Sequence, residues 1–218
     1  QSFPPKAQDV VLYGFGRIGR LMARNYIERS GPAALLNLRA VVCRPSKDPR
    51  ADLRKRASLL RTDSIHGAFN ATIEVDEDSL CLIANGNRIQ FIYAPNPADI
   101  DYGDFGIHGA ILIDNTGVWS DEAGLGQHLS AKGVEKVLLT APAKGDVPNI
   151  VFGVNDEAIG DHSIVSAASC TTNASTPVLK VLDEAYGIVQ GHIETVHSFT
   201  NDQNLIDNFH KADRRGRS

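Results

Sequence analysis

The sequence predicts an α/β protein, with a doubly wound, mostly parallel sheet followed by the start of a second, α+β domain. Short apolar strands alternate with helical patterns between residues 10 and 140, which is typical of a parallel sheet with crossover helices. A glycine-rich turn at residues 14–19 lies between the first strand and the first helix pattern. We therefore predict a nucleotide-binding domain over residues 1–167 and an incomplete second domain over residues 168–218.

Composition and charge narrow the class of protein. The 218 residues are 42% hydrophobic and 22% charged, which suits a globular chain with one or two cores. The net charge of −4 argues against a nucleic-acid-binding surface, and no apolar run is long enough to span a membrane. Three cysteines without framework or ligand spacing predict a reducing, cytoplasmic location and no metal site. The basic residues 211–217 are either a solvated segment or a phosphate or subunit contact.

The first strand leads directly into a Gly-x-Gly-x-x-Gly motif. Residues 10–13 are apolar, Gly14, Gly16 and Gly19 follow, and an amphipathic helix pattern comes next. In this setting the glycines permit the tight turn, the approach of the backbone to a pyrophosphate, and close packing of helix on strand. The motif therefore predicts a Rossmann domain in which these three glycines bind a dinucleotide.

The end of the second strand bears on the choice of cofactor. NAD enzymes usually place a carboxylate there to accept a hydrogen bond from the adenosine ribose. This chain has Cys43, Arg44, Ser46 and Lys47 around Pro45 instead. Arg44 and Ser46 are candidates for binding a 2′-phosphate, although Arg44 could equally stack on the adenine of NAD. We predict NAD or NADP as the cofactor and favour NADP or the use of both.

The remaining elements continue the same fold. Asn85 and Gly86 predict a type I′ hairpin turn. Thr140 ends a buried strand, where strand ends line the crevice of a parallel sheet, so it is a candidate cofactor contact. We interpret His66 and Trp119 as structural residues. The patterns predict helices over residues 52–61 and 121–131, and strands over residues 38–42, 72–75, 80–84, 89–93, 111–114, 137–140 and 164–168.

Cys170 is the candidate nucleophile. A helical spacing of apolar residues follows Asn173, so the cysteine should lie at or just before the first turn of a helix. A helix N-terminus favours the thiolate, the form of cysteine that reacts. A lone cysteine is often only a small buried hydrophobic residue, but the polar neighbours Ser169, Thr171 and Thr172 favour the nucleophile here.

His197 is the candidate base. Residues 191–200 alternate like a strand, and His197 lies 197 − 170 = 27 residues after Cys170. A strand, helix, strand passage of this length could bring the imidazole beside the thiol. The spacing alone is weak, because a histidine in a strand is more often a core or surface group.

The Ser-Cys-Thr-Thr-Asn run at residues 169–173, taken with residues 197–203, resembles the phosphorylating glyceraldehyde-3-phosphate dehydrogenases. The resemblance extends over residues 14–217. It implies that Cys170 is the nucleophile and His197 the base. The further positions that it assigns are dinucleotide contacts at Arg17, Ile18, Thr116 and Gly117, and substrate contacts at Ser169, Thr171, Thr200 and Asp202.

The activity that the resemblance implies is the oxidation of glyceraldehyde 3-phosphate to 1,3-bisphosphoglycerate in glycolysis or gluconeogenesis, with inorganic phosphate as second substrate. It also implies a homotetramer. A related alternative is an erythrose-4-phosphate dehydrogenase. The resembled enzymes continue for roughly a hundred residues beyond this chain. We therefore expect the 218 residues alone to be inactive, and a dinucleotide-binding module without turnover is the second class of function.

Overall fold

The structure is a computed structural model and describes residues 7–198. The chain divides into two compact units, Gln1–Pro177 and Val178–Ser218. The helices are α1 Arg17–Glu28, α2 Pro49–Arg61, α3 Glu122–Leu129 and α4 Cys170–Tyr186. The strands are β1 Gln8–Tyr13, β2 Leu36–Cys43, β3 Thr62–Asp63, β4 Gly67–Ala68, β5 Ile73–Asp76, β6 Cys81–Ala84, β7 Asn87–Tyr93, β8 Ala110–Asp114, β9 Val134–Leu139 and β10 Ile164–Ser166.

The first unit is organised around one eight-stranded sheet in the order β10-β9-β8-β1-β2-β7-β6-β5. The strands from β10 to β7 are parallel to their neighbours, whereas β6 is antiparallel to both β7 and β5. Strand order reverses between β1 and β8, as in a doubly wound sheet, and ligands bind such sheets at the carboxyl ends of the strands beside this reversal. The structure thus confirms the predicted fold class.

The core lies on both faces of the sheet because alternate residues of each strand point to opposite sides. Val10 and Leu12 of β1 pack in the cluster that contains Ala23 of α1, whereas Val11 packs in the cluster that contains Leu125 of α3. The predicted hairpin turn is also confirmed, since Asn85 has φ 47° and Gly86 has φ 82°. The residues of the turn and the alternation along the strands thus favour the same fold.

The predicted strand at residues 191–200 is wrong over its described part. Residues 191–198 contain no regular secondary structure, and Val196 is exposed. A strand needs a neighbour for its backbone hydrogen bonds, and the described residues of the second unit include no strand that could pair with it. Alternation of apolar and polar residues was therefore insufficient evidence. Among the described residues, no helix is both long and apolar enough to cross a membrane.

Candidate active site

The turn between β1 and α1 has the geometry predicted from its glycines. Gly14 has φ 94°, which favours glycine, and a Cβ added there would lie 2.9 Å from Thr116 Cγ2. A Cβ on Gly19 would lie 2.4 Å from the carbonyl oxygen of Gly14, so only glycine lets α1 pack so closely on this turn. Both positions are dictated by packing within the protein itself.

Gly16 differs from the other two glycines. A Cβ added there would meet no protein atom within 4 Å, so packing within the chain does not require glycine. Gly16 is the exposed N-cap residue of α1, no side chain caps this helix, and its first turn contains no acidic residue. A helix N-terminus of this kind offers backbone N–H groups and a positive dipole end to an anion. The turn therefore fits a dinucleotide pyrophosphate.

Arg17 and Ile18 begin α1 but face different surroundings. Ile18 is 51% exposed. Arg17 Nε lies 3.3 Å from Asp63 Oδ2, and its Nη2 donates to Ser64 Oγ. Arg17 is therefore held by the loop that follows β3. Contact of these two residues with a cofactor stays a prediction.

Asp63 anchors this loop and explains the structural role expected of His66. Its buried Oδ1 accepts hydrogen bonds from the N–H groups of Ile65 and His66, each at 2.9 Å, and lies 3.0 Å from His66 Nδ1. Burial alone would raise the pKa of Asp63, but these hydrogen bonds and the charge of Arg17 outweigh it and hold the pKa well below its usual range. An ionised Asp63 thus ties the loop to the start of α1.

The turn after β8 lies against Gly14, where the strand order reverses. Asp114 Oδ1 accepts hydrogen bonds from the N–H and the hydroxyl of Thr116, each at 2.7 Å, and the Thr116 hydroxyl accepts one from Val118 N–H. Gly117 is exposed with φ 68°. The Thr116 hydroxyl is thus used to shape the turn. A cofactor contact from Thr116 or Gly117 stays a prediction.

Thr140 joins the same group of atoms. Its N–H and its hydroxyl donate to the carbonyl oxygen of Asp114 at 3.1 and 3.0 Å. The structure thus brings Thr116 and Thr140 together through Asp114. Asp114 was not among the residues expected at the site, and neither was its buried partner His128, whose Nε2 lies 3.0 Å from Asp114 Oδ2. A carboxylate at the end of the apolar run of β8 was the available signal for Asp114.

The segment after β2 has exposed cationic side chains, and its carboxylates are bonded to other groups of the protein. Arg44 and Lys47 are exposed, while the Ser46 hydroxyl donates to Asp48 O at 3.2 Å. Asp48 Oδ1 caps α2 by accepting from Ala51 N–H, and Asp52 Oδ2 accepts from Arg56 and Tyr93. Both carboxylates of residues 43–52 are therefore committed to partners within the protein.

The predicted position of Cys170 is confirmed: it is the first residue of α4 and is exposed. The turn before it contains Ala168 at φ 57°, a conformation that is strained for a residue other than glycine. Ser166 Oγ stabilises the turn by donating to Ala141 O and accepting from Ala168 N–H. Ser169 Oγ then caps α4 by accepting from Thr172 N–H at 3.0 Å.

Hydroxyl groups cluster beside Cys170. Ser169 Oγ lies 3.0 Å from Thr171 Oγ1 and 2.6 Å from Thr172 Oγ1. Two of the predicted substrate contacts, Ser169 and Thr171, are therefore adjacent. The other two, Thr200 and Asp202, lie outside the described residues.

His197 and the remaining cysteines complete the predicted chemistry. His197 is exposed and belongs to the second unit, so its pairing with Cys170 stays a prediction. Cys43 and Cys81 are buried, and burial raises the pKa of the Cys43 thiol to about 12. Cys170 is thus the exposed cysteine of the chain, and the two buried thiols are unsuited to attack a substrate.

Comparison with known proteins identifies the family. The family model described as "Glyceraldehyde 3-phosphate dehydrogenase, NAD binding domain" matches residues 8–122, and the model for the C-terminal domain of the same enzyme matches residues 169–218. The chain is 62% identical over 211 residues to a glyceraldehyde-3-phosphate dehydrogenase-like protein of Pseudomonas aeruginosa, covering 96% of this chain and 45% of that protein.

More distant relatives agree. The chain is 40% identical to the glyceraldehyde-3-phosphate dehydrogenase of Thermotoga maritima, covering 96% of this chain and 59% of that enzyme. It is also 40% identical to the chloroplastic glyceraldehyde-3-phosphate dehydrogenase A of Zea mays, covering 96% of this chain and 49% of that protein. The chain spans about half the length of these curated relatives. The chain therefore belongs to the glyceraldehyde-3-phosphate dehydrogenase family of NAD(P)-dependent oxidoreductases.

Proposed function

We propose that the protein to which these residues belong converts glyceraldehyde 3-phosphate to 1,3-bisphosphoglycerate with NAD(P) and inorganic phosphate, as in glycolysis or gluconeogenesis. One observation carries this proposal. The exposed Cys170 begins α4 after the strand β10, at the same carboxyl edge of the sheet as the dinucleotide turn after β1. A nucleophile and a dinucleotide site on one edge are what a covalent aldehyde oxidation requires.

The first step is addition of the Cys170 thiolate to the aldehyde carbon. The carbonyl π bond breaks, and its oxygen takes up the proton that was released when the thiolate formed, which gives a hemithioacetal. The N-terminus of α4 favours both the thiolate and the negative oxygen that develops on the carbon. His197 takes the hydroxyl proton while hydride leaves the same carbon, and the product is a thioester of Cys170. When bound at Gly14, Gly16 and Gly19, the dinucleotide supplies the hydride acceptor.

The second step is attack of inorganic phosphate on the thioester. The sulfur leaves as the Cys170 thiolate, and the acyl group leaves as an acyl phosphate. Ser169, Thr171, Thr200 and Asp202 are proposed to hold the phosphate groups of the substrates. Hydroxyls clustered at a helix N-terminus support this assignment for Ser169 and Thr171, because they can donate to phosphate oxygens.

Alkylation by iodoacetate tests the assignment of the nucleophile. We expect Cys170 to be modified faster than Cys43 and Cys81 by more than about a hundredfold, because the other two are buried. His197→Ala should slow modification of Cys170 and His192→Ala, a nearby exposed histidine, should not. Mass spectrometry of digests measures each rate. Equal modification of the three cysteines would contradict the proposal.

For the cofactor we propose NADP or the use of both NAD and NADP. The exposed Arg44 and Lys47, together with the commitment of Asp48 and Asp52 to other partners, support this choice. Arg44→Asp should weaken NADP binding by about tenfold or more while leaving NAD nearly unchanged, since charged hydrogen bonds to phosphate contribute about 1.5–3 kcal/mol. Lys55→Asp, with the same charge change at an exposed position of α2, is the control. Calorimetry with each dinucleotide gives the affinities.

Two alternatives have discriminating tests. An erythrose-4-phosphate dehydrogenase would show higher kcat/KM for that aldehyde than for glyceraldehyde 3-phosphate. The 218 residues alone, which span about half of their relatives, are proposed to bind the dinucleotide without turnover. Calorimetry with NAD and NADP should then show binding, while an assay with aldehyde and phosphate should show no reduced cofactor. A homotetramer in the cytoplasm is a further proposal, implied by the family resemblance, and light scattering of the purified protein measures its assembly state.

A further inference from the structure

Asp114 lies where the strand order reverses and makes hydrogen bonds to three other residues. Its side chain and that of His128 are both 0% exposed. Its Oδ1 accepts two hydrogen bonds from Thr116, its Oδ2 lies 3.0 Å from His128 Nε2, and its carbonyl oxygen accepts two hydrogen bonds from Thr140. In the tautomer of His128 that carries its hydrogen on Nε2, the imidazole donates to Asp114 Oδ2. His128 thus links α3 to the turn that borders the crevice.

The surroundings of His128 explain what its imidazole adds. The ring stands edge-on to Tyr13, with ring centroids 4.6 Å apart, and to Trp119, with centroids 5.3 Å apart. His128 Nδ1 is buried and has no hydrogen-bond partner among the described residues. A buried polar atom without a partner costs free energy that an apolar side chain would avoid. Of the two ring nitrogens of His128, Nε2 therefore makes the polar contact, which is its hydrogen bond with Asp114.

Loss of that bond would affect the crevice. Without a donor at Oδ2, the fully buried carboxylate of Asp114 would be half unsatisfied, and rotation to find another donor would disturb its two bonds to Thr116. The Thr116 turn is in contact with the glycine turn, because a Cβ added to Gly14 would lie only 2.9 Å from Thr116 Cγ2. A shift of the Thr116 turn would therefore change its distance from the glycine turn, where the dinucleotide is proposed to bind.

We propose that His128 is a positioning residue that, through Asp114, fixes the Thr116–Gly117 turn against Gly14 and so pre-forms the dinucleotide cleft. The proposal rests on the proposed function only in naming the dinucleotide as the ligand. The hold on the turn is a property of the protein alone.

Two substitutions of similar volume separate the hydrogen bond from packing. His128→Gln retains an N–H donor near the place of Nε2, whereas His128→Met fills the site without a donor. Leu82→Ala, in β6 on the antiparallel side of the sheet, destabilises the core at a distance from the turn and serves as the control. Thr116→Val removes the hydroxyl that Asp114 accepts while retaining the shape of the side chain.

The first readout is hydrogen exchange at the amides of Thr116 and Val118 in the full chain without cofactor. His128→Met should raise exchange at both by about tenfold or more, and His128→Gln should stay within about threefold of the unsubstituted protein. The second readout is the dissociation constant for NAD and NADP, which should follow the same pattern. The effects of His128→Met and Thr116→Val on affinity should be less than additive, because both act through Asp114.

Three results would overturn the inference: unchanged exchange in His128→Met, raised exchange with unchanged affinity, or the same local change in Leu82→Ala. If the unsubstituted protein bound neither dinucleotide, the proposed function would fail instead. The exchange data would then still decide whether His128 holds the turn.

Discussion

Two turns of this protein have the same topology and opposite chemistry. The glycine turn, residues 14–19, joins β1 to α1, and the cysteine turn, residues 167–172, joins β10 to α4. In the glycine turn no side chain caps the helix, and Gly16 is open to its surroundings. In the cysteine turn Ser169 caps the helix, and the exposed Cys170 stands between two hydroxyl-bearing residues, Ser169 and Thr171.

The difference shows how one structural element serves two purposes. A helix N-terminus attracts negative charge in either case. Where side chains are absent, the bare backbone can approach a pyrophosphate. Where Ser169 satisfies a backbone donor, the turn is held in place and presents one reactive side chain, and the strain at Ala168 is sustained by the hydrogen bonds of Ser166. Substitutions in and around the two turns test this difference.

Cys170→Ser should have the largest effect, because it removes the chemistry of the cysteine turn and leaves the glycine turn unchanged. In the whole enzyme we expect kcat to fall by more than about 10³-fold. The dissociation constant for NAD(P) should stay within about twofold. Absorbance of the reduced cofactor and calorimetry measure the two quantities. Turnover within tenfold of the unsubstituted enzyme would show that Cys170 is not the nucleophile.

Substitutions at Gly19 and Gly16 separate packing from ligand binding within the glycine turn. Gly19→Ala should lower the free energy of unfolding by about 1–3 kcal/mol, because its Cβ would meet the backbone oxygen of Gly14 at 2.4 Å. Gly16→Ala should cost less than about 1 kcal/mol yet weaken dinucleotide binding by about tenfold, since its Cβ would stand where the pyrophosphate approaches. Urea unfolding and calorimetry test both. Equal losses of stability would contradict this division.

Asp63→Asn tests how the glycine turn is supported from outside. The pKa of Asp63 is lowered in the folded state, so its contribution to stability is present above the unfolded pKa of about 3.9 and is lost as the pH falls through the lowered folded value. The substitution should cost about 2 kcal/mol at pH 7 and progressively less below about pH 3.9. Asp146→Asn, at an exposed position, is the control. A cost that did not change with pH would refute an ionic anchor.

Ser169→Ala tests how the cap stabilises the cysteine turn, and its expected effect on stability is small. Loss of the cap should lower the free energy of unfolding by about 1 kcal/mol, whereas Ser169→Gly should lower it by only a few tenths. Hydrogen exchange at the Thr172 amide should rise in both variants. If the glycine variant were the less stable of the two, the cap would not be what Ser169 contributes to stability.

The local features of the site could be predicted because each depends on residues adjacent in sequence. Gly14 and Gly19 lie in the turn between a strand and the helix that directly follows it. The position of Cys170 at the start of α4 was predicted from the helical spacing of the residues after it. The strand expected over residues 191–200 is wrong over its described part, residues 191–198, because a strand forms only beside a partner and the alternation of side chains does not identify one. For the same reason the pairing of Cys170 with His197 stays a prediction.

The contacts of Arg17 could not be predicted from the sequence, because its partners are distant along the chain. The resemblance assigned this residue to the dinucleotide, and its guanidinium lies against Asp63 and Ser64, 46 and 47 residues later in the chain. Nothing in the pattern around Arg17 identifies that partner, because the two segments meet only when α1 and the loop after β3 pack beside each other.

Three local patterns were enough to predict the doubly wound domain, the dinucleotide turn and the family: the glycine spacing, the alternation along the strands and the motif around Cys170. The position of Thr140 and His128 beside Asp114 and Thr116, at the reversal of strand order, is visible only in the folded protein. A buried carboxylate needs hydrogen-bond partners, and here His128 of α3 joins Thr116 at the Asp114 carboxylate, while Thr140 donates to the Asp114 carbonyl oxygen. His128 and Thr140 belong to separate segments of the chain, which lie beside Asp114 only because the sheet folds as it does.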